Sequence, residues 1–502
     1  MDQSNRKSPG ARRRLGTPTL ALLPADSPRE ALVSRVRRSI VSEVRRGRLR
    51  PGQVLPGSRP LAESLGVHRN TVLAAVRELE SEGWITTVPA QGTFVSEDLP
   101  EQKRRLDVPE PSADRPSYDV PDGGYVVPRA PRALSFFGGI PDVRLVDTAT
   151  LGRALRRALR DKSTLRYGSP LGDLRLRTEL AKLLADTRGV PRTADEILVT
   201  SGSQMAIDLV ARSLLPRGSC VAVEALGYRP AWEALRRAGI ELAPVAVDAD
   251  GMDVRALERL AQKRTLAGVL LTPHHQCPTT VTLSASRRLT LLDLARKSRW
   301  LVLEDDYDHE FHYEGRPILP LASADPGGNV VYVGTLSKVL SPGLRVGYVA
   351  APRSVVARLA DFRYSTDREG NHVVERAVAE LLEDGEAGRH VRRARKVYLA
   401  RRNLLVSLLR KTFGDRLMFD VPHGGTSIHA TVDPDVDVEA IVDRAYDLGL
   451  SLQSPKVFAF DGKTRPFLRL GFAQLDETEL PRAVRLLASA FPQDQARRAD
   501  GR

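Results

Sequence analysis

Cysteine and long apolar runs are what this sequence has least of. Among 502 residues there are only two cysteines, Cys220 and Cys277. That excludes a disulfide framework and points to a reducing, cytoplasmic compartment. No stretch approaches the roughly 18 consecutive apolar residues that a membrane-spanning helix needs. The first twenty residues are polar and broken by Pro9 and Pro18, and Arg12, Arg13 and Arg14 precede no apolar run, so an export signal is not expected. There is no internal repeat. A hydrophobic fraction of 42% and a charged fraction of 27% exclude a wholly disordered chain, a collagen-like chain and a coiled-coil rod. At roughly 150 residues per domain, the length suggests about three domains.

Positive charge is present in excess. The formal net charge is +14, and residues 1–95 hold sixteen Lys/Arg against eight Asp/Glu, so more than half of the excess sits in the first fifth of the chain. A basic segment is the electrostatic footprint of a nucleic-acid partner, and equally the solvated surface of an arginine-rich protein. Charge alone does not separate the two.

Composition divides the chain. Residues 1–27 read as a disordered basic tail, and 28–96 as a compact helical module ending in a short β-like segment. Residues 97–133, with seven prolines from Pro100 to Pro131, read as an extended linker. Residues 134–492 alternate helical stretches with the apolar strands Glu196–Val199, Cys220–Val223, Gly268–Leu271, Trp300–Leu303 and Val330–Val333, which argues an α/β fold with a mostly parallel sheet. A tail follows at 493–502.

In the N-terminal module, Leu32, Val36, Ile40 and Val44 share one face of a helix predicted over Ala31–Arg46. Ser58 is expected to cap a short helix that Gly66 stops, and a second helix runs from Arg69 to Glu82. Two strands, Trp84–Val88 and Gly92–Val95, suit a wing around Pro89–Gly92. A helix-turn-helix places the second helix in the major groove, which would present Arg69, Asn70 and Thr71 to base edges and phosphates. The same pattern also fits a helical hairpin that binds no DNA. Leu55-Pro56-Gly57-Ser58-Arg59, Leu65-Gly66-Val67, Arg69-Asn70-Thr71-Val72, Glu82-Gly83 and Gly92-Thr93-Phe94-Val95 closely resemble the winged helix of GntR-type bacterial regulators. The resemblance implies DNA contacts from Arg59, Arg69, Asn70 and Thr71 and from the wing tip at Gln91 and Gly92. His68 departs from the usual capping serine, which predicts a weaker helix start. Leu73 departs from the arginine carried by the fatty-acid type, which removes one phosphate contact.

In the C-terminal part, Gly334-Thr335-Leu336-Ser337-Lys338 follows an apolar strand, with Arg345 farther on. A desolvated lysine among hydroxyl residues can form a Schiff base, and Thr335 and Arg345 can hold a phosphate. Asp305 and Tyr307 follow the strand Trp300–Leu303 at alternate positions, which suits a carboxylate and a phenol facing one side. The neighbouring His309 and His312 with Asp306 and Asp308 admit a metal reading, which lacks the rest of a metal-site pattern. Thr200-Ser201-Gly202-Ser203-Gln204 is a strand-to-helix turn of the kind whose free N–H groups bind phosphate.

With Gly139-Ile140-Pro141-Asp142, Tyr167-Gly168, Gly227-Tyr228, Pro273–Pro278 and Gly388–Arg402, the order of these pieces resembles the class I aminotransferase fold, pyridoxal-phosphate-dependent fold type I, with a smaller α/β C-terminal lobe. Fused to a GntR winged helix, it is most similar to the MocR/GabR regulators. The resemblance implies pyridoxal 5'-phosphate as cofactor and Lys338 as the Schiff-base lysine. It implies Asp305 at the ring nitrogen, Tyr307 at the phenolic oxygen, and Tyr228 stacked on the ring. Ser203, Gln204, Thr335 and Arg345 would hold the phosphate, Tyr167 would reach the phosphate of a partner subunit in a homodimer, and Arg469 would bind an effector carboxylate. Cys277 and Thr280 stand where aminotransferases carry the Asn and Gly of Asn-Pro-x-Gly, which puts efficient turnover in question. The expected function is a transcription regulator that binds operator DNA and senses an amine, an amino acid or pyridoxal phosphate itself. The alternative is a working aminotransferase with a vestigial DNA-binding module.

Overall fold

The computed structural model describes residues 20–25, 30–100, 130–315 and 318–492. Most of the expected tails and linker therefore lies outside the described residues. The chain divides into two compact units, residues 1–126 and 127–502. Among the described residues no helix is long and apolar enough to cross a membrane.

The first unit contains α1 (Leu32–Arg45), α2 (Ser58–Leu65), α3 (Arg69–Ser81) and an antiparallel pair, β1 (Ile85–Val88) and β2 (Gly92–Val95). Its core follows the i, i+4 pattern: Val36, Ile40 and Val44 of α1 pack with Leu61 and Leu65 of α2 and with Val72, Ala75 and Leu79 of α3. Leu32 opens the same stripe and stays exposed. One correction concerns a helix start. Ser58 is the first helical residue behind an N-cap at Gly57, and its hydroxyl accepts from Arg69 Nε at 3.1 Å instead of capping α2. His68 stands at the N-cap of α3, its Nδ1 accepting the Asn70 N–H at 3.3 Å. A second correction concerns the tail. Residues 20–25 pack onto the unit, with Leu20 fully buried and the Leu23 N–H bonded to Ser39 Oγ at 2.9 Å.

The second unit is built on a seven-stranded sheet: β3 (Ile197–Thr200), β4 (Cys220–Glu224), β5 (Glu241–Val245), β6 (Leu266–Leu271), β7 (Leu301–Asp306), β8 (Val330–Thr335) and β9 (Gly347–Ala350). Its spatial order is β3-β9-β8-β7-β6-β4-β5, and only β9 runs antiparallel to its neighbours. The central strands are apolar runs because both faces are covered. Helices Leu174–Arg188 and His372–Glu383 lie over one core, and α4 (Ser203–Leu214), Arg229–Arg237 and Arg353–Thr366 over the other. The 28-residue helix Glu386–Phe413 contributes Ala387 to the large core and continues into a separate core of the smaller lobe. That lobe carries the antiparallel pair β10 (Ser427–Thr431) and β11 (Phe467–Gly471). Leu134–Ser135 pairs in parallel with Leu450–Ser451, which ties the start of the unit to the lobe.

Leu79 is fully buried at the α1/α3 contact. Leu79→Ala is expected to lose about 2–5 kcal/mol of local stability. Hydrogen exchange checks this: amides of residues 69–81 exchange faster, and those of residues 330–335 are unchanged.

Candidate functional site

The first unit presents one basic, exposed end. Arg59, Arg69 and Asn70 are exposed, Thr71 is half-buried, and the first turn of α3 contains no acidic residue. The acidic residues of α3 sit at its other end. Glu82 pairs with Arg37 at 2.7 Å, and Glu80 accepts the Thr87 N–H at 2.9 Å. The positive end of the helix dipole and the basic side chains thus coincide. Gln91 and Gly92 are exposed at the wing turn, where Ala90 and Gly92 adopt positive φ of 63° and 122°.

In the second unit, the carboxyl end of β7 and the turn after β8 bring Asp305 and Lys338 close enough for their charges to interact, and the start of α4 lies beside Arg345. Lys338 is half-buried in the turn after β8, and burial, reinforced by the charge of Arg469, lowers its pKa from the ordinary lysine value. A Cβ placed on Gly139 would lie 3.9 Å from Lys338 Nζ and 4.0 Å from Arg469 Nη2, so both cations border that one backbone position. Asp305 is buried near the end of β7, and its Oδ1 has no hydrogen-bond partner. Burial and the neighbouring Asp306 push its pKa up to about 7, against the pull of Lys338. Asp306 points to the other face of the strand. Burial pushes it up too, but His309, at 3.2 Å, holds it well below the usual range, and Tyr332 donates to it at 2.7 Å. The proton-poor carboxylate and the proton-retaining one are thus adjacent in sequence and opposite in environment.

The N-cap of α4 is Gly202 at φ 90°, which supplies no side chain, so the first-turn N–H groups of Ser203 and Gln204 stay uncapped. Arg345 reaches over this turn and donates to the Ser201 carbonyl at 2.5 Å. A Cβ on Gly202 would come within 2.9 Å of Arg345 Nη2, and at φ 90° the backbone itself favours glycine. Thr335 Oγ1 accepts the Ser337 N–H at 3.1 Å. An uncapped helix start beside an arginine and a hydroxyl suits an anion such as a phosphate. Tyr228 is 42% exposed, and burial of its hydroxyl end raises its pKa, with Asp305, Cys277 and Arg345 as the charges that act on it.

Tyr307 departs from expectation in one detail. Its hydroxyl donates to the His275 carbonyl at 2.7 Å and lies 3.4 Å from Arg469 Nη2, so its proton is already engaged. Arg469 on β11 is buried, with Nε unpartnered. Tyr167 lies elsewhere on the unit, 79% exposed, with the Arg368 guanidinium 4.0 Å from its ring centre. Cys277 packs with Phe458 and Phe467 and against Tyr307, and burial pushes its thiol pKa up, which fits a small packing residue. Thr280 stands at φ 63°, a conformation that glycine adopts without strain and a β-branched residue does not.

Sequence reasoning missed Ser337, whose buried Oγ has no partner, although it lies inside the lysine motif. It also missed Glu224. This buried carboxyl at the end of β4 accepts the Thr272 N–H at 3.0 Å, and burial lifts its pKa to about 8. A lone acid ending an apolar strand was its signal.

Fold and site together define a class: residues 144–487 match the family "Aminotransferase class I and II", and residues 32–95 match "Bacterial regulatory proteins, gntR family". The chain belongs to the regulators that join these two parts, the MocR type. It is 30% identical over 474 residues to the HTH-type transcriptional regulator TauR of Rhodobacter capsulatus, covering 92% of this chain and 96% of TauR. It is 29% identical over 462 residues to the probable rhizopine catabolism regulatory protein MocR of Rhizobium meliloti, covering 90% of this chain and 92% of that protein. The α-aminoadipate aminotransferase LysN of Thermus thermophilus, solved with N-(5'-phosphopyridoxyl)-L-leucine, superposes with a TM-score of 0.66 at 28% identity, covering 71% of this chain and 91% of LysN.

The raised Asp305 pKa has a consequence for stability. In cofactor-free protein the folded state holds the Asp305 proton up to about pH 7, while the unfolded chain releases it near 3.8. The folded state is therefore penalised increasingly as pH rises through that window, by up to about 4 kcal/mol. Asp305→Asn removes the penalty. Its unfolding midpoint is expected to exceed that of the wild type at pH 8, with the gap narrowing at pH 5; a gap independent of pH contradicts the assignment.

Proposed function

We propose that this chain is a DNA-binding transcription regulator that holds pyridoxal 5'-phosphate at Lys338 and responds to a small amine, an amino acid or the cofactor itself. The observation that carries the reading is the unpartnered, buried Asp305 carboxylate in the same site as a desolvated Lys338 and an uncapped helix start with Arg345 beside it. Those three groups fit a cationic ring nitrogen, an aldehyde and a phosphate. When bound, pyridoxal phosphate supplies an aldehyde that condenses with amines and a ring that withdraws electrons.

This reading gives the chain's own residues the following roles. Lowered basicity leaves Lys338 unprotonated nearer neutral pH than a surface lysine, so its Nζ is available as a nucleophile. Asp305 holds a proton on the ring nitrogen. The backbone N–H groups of Ser203 and Gln204, with Thr335 and Arg345, hold the phosphate. Tyr228 covers the ring, and Tyr307 stands at its phenolic oxygen. Arg469 offers a bidentate fork to an effector carboxylate. Tyr167, exposed here, serves the phosphate site of a second copy in a homodimer. Arg59, Arg69, Asn70 and Thr71, with the wing tip at Gln91 and Gly92, face operator DNA. An effector amine that would compete with Lys338 for the bound aldehyde favours one conformation over another and so biases DNA affinity. Turnover as an aminotransferase is the weaker reading, because Cys277 and Thr280 replace the amide donor and the glycine beside the ring.

Two measurements test this. After incubation with pyridoxal phosphate and borohydride reduction, mass spectrometry is expected to find the phosphopyridoxyl group on Lys338, and Lys338→Ala is expected to carry none. Modification spread over surface lysines contradicts the site. In footprinting on the DNA upstream of the protein's own gene, Arg69→Ala is expected to weaken protection by about 1–3 kcal/mol. No protection by the wild type at low salt contradicts the DNA-binding role.

A further inference from the structure

A group of buried imidazoles takes no part in the roles assigned so far. We infer that His274, His275 and His312 form a binding site for one divalent transition-metal ion of the zinc class, separate from the lysine site. One ring nitrogen from each histidine lies within 4.8 Å of the others. Two come from the segment that follows β6 and one from the loop that follows β7, so adjacent parallel strands bring them together.

Each ring is suited to its part. His274 is 4% exposed, and neither of its ring nitrogens has a hydrogen-bond partner. A buried imidazole with both nitrogens idle is costly, and a metal ion relieves that cost at one of them. Asp308 lies 2.8 Å from His275 Nδ1, the carboxylate–histidine arrangement that fixes a ligand ring and leaves Nε2 for the ion. Gly424 packs against this ring, and any side chain there would crowd the ligand nitrogen, because a Cβ would fall 2.3 Å from Nε2. His312 is half-buried, faces the backbone of Glu314 and makes no hydrogen bond of normal geometry. Its ring lies 6.5 Å from that of His275 and nearly parallel to it, at 14°. Tetrahedral zinc sets its nitrogen ligands about 3.3 Å apart, and rotation of the half-buried His312 supplies the closure.

The site is open on one side. A cleft of about 1180 Å³, lined by the three histidines with Thr280, Glu314 and His423, gives an ion an entry path and a fourth coordination position. His309 is outside the set, since it is committed to Asp306. The metal reading weighed and set aside from the sequence grouped His309 and His312 with Asp306 and Asp308. The structure instead spends both carboxylates on histidine partners and assembles a different triad. The site also abuts the effector side of the lysine pocket, because the His275 carbonyl is the acceptor for Tyr307.

The test uses the full-length protein dialysed against Zn²⁺, with metal content per chain measured after removal of excess ion and affinity measured by competition with a chromogenic chelator. Wild type is expected to retain one ion per chain. Asp308→Asn is expected to bind 10- to 100-fold more weakly, and His312→Ala to lose stoichiometric binding. Lys338→Ala is expected to retain it. Thermal unfolding without metal checks that each variant is folded; a variant that unfolds is replaced by His312→Gln at the half-buried position. Absence of a stoichiometric ion in the wild type, or retention of the ion by folded His312 variants, overturns the proposal.

Discussion

Asp305 and Lys338 are groups that water would solvate well, and the fold withdraws both from it at the ends of two neighbouring parallel strands. Each is driven toward its neutral form by burial, Asp305 upward in pKa and Lys338 downward. Much of the second unit bears on this pair. The parallel β7/β8 register sets Asp305 opposite Val333 and Asp306 opposite Gly334, a short way before the lysine turn. His309 on the far face, with the charge of Arg188 beyond it, keeps the adjacent acid ionised, which reinforces the rise at Asp305. A buried charge without a partner is unfavourable, so the site is complementary to a ligand that supplies the missing counter-charge.

Much of this was legible in the sequence, because the signals were local. The five apolar strands read from the sequence all lie in the sheet, shifted or lengthened by a few residues. The strands Glu241–Val245 and Gly347–Ala350 were not read. The first is an edge strand with alternating exposure, and the second is a four-residue antiparallel insertion whose place depends on Gly202 packing. At the site, Lys338, Asp305 and the α4 start were found because each sits at a strand end. The engagement of Tyr307 with a backbone carbonyl, the orphaned Ser337 and the raised Glu224 were not, since they depend on burial and on contacts far apart in sequence. The same holds for His68, whose ring caps α3 although imidazole is a poor capping type.

Two departures from the aminotransferase pattern sit together. Cys277 replaces an amide donor with a buried, weakly polar thiol, and Thr280 occupies a left-handed position that favours glycine. Cys277 alters the side of the pocket that holds Tyr307 and Arg469, and Thr280 lies three residues on, in the lining of the cleft beside the histidines. A pocket with an intact cradle and lysine but an altered catalytic edge suits ligand recognition better than rapid turnover. The histidine triad lies against this same edge, so an ion there would act where the pocket has diverged.

If the chain acts as a sensor, occupancy of the lysine site and affinity for DNA are linked. The direct measurement is operator affinity of the full-length protein at fixed salt, with and without pyridoxal phosphate and across a panel of amines and amino acids, repeated for Lys338→Ala. At least one ligand is expected to shift the wild-type affinity by about 5- to 150-fold, the usual range of allosteric coupling, and Lys338→Ala to abolish the shift while still binding DNA. Equal affinities under every condition, or an undiminished shift in Lys338→Ala, would contradict it.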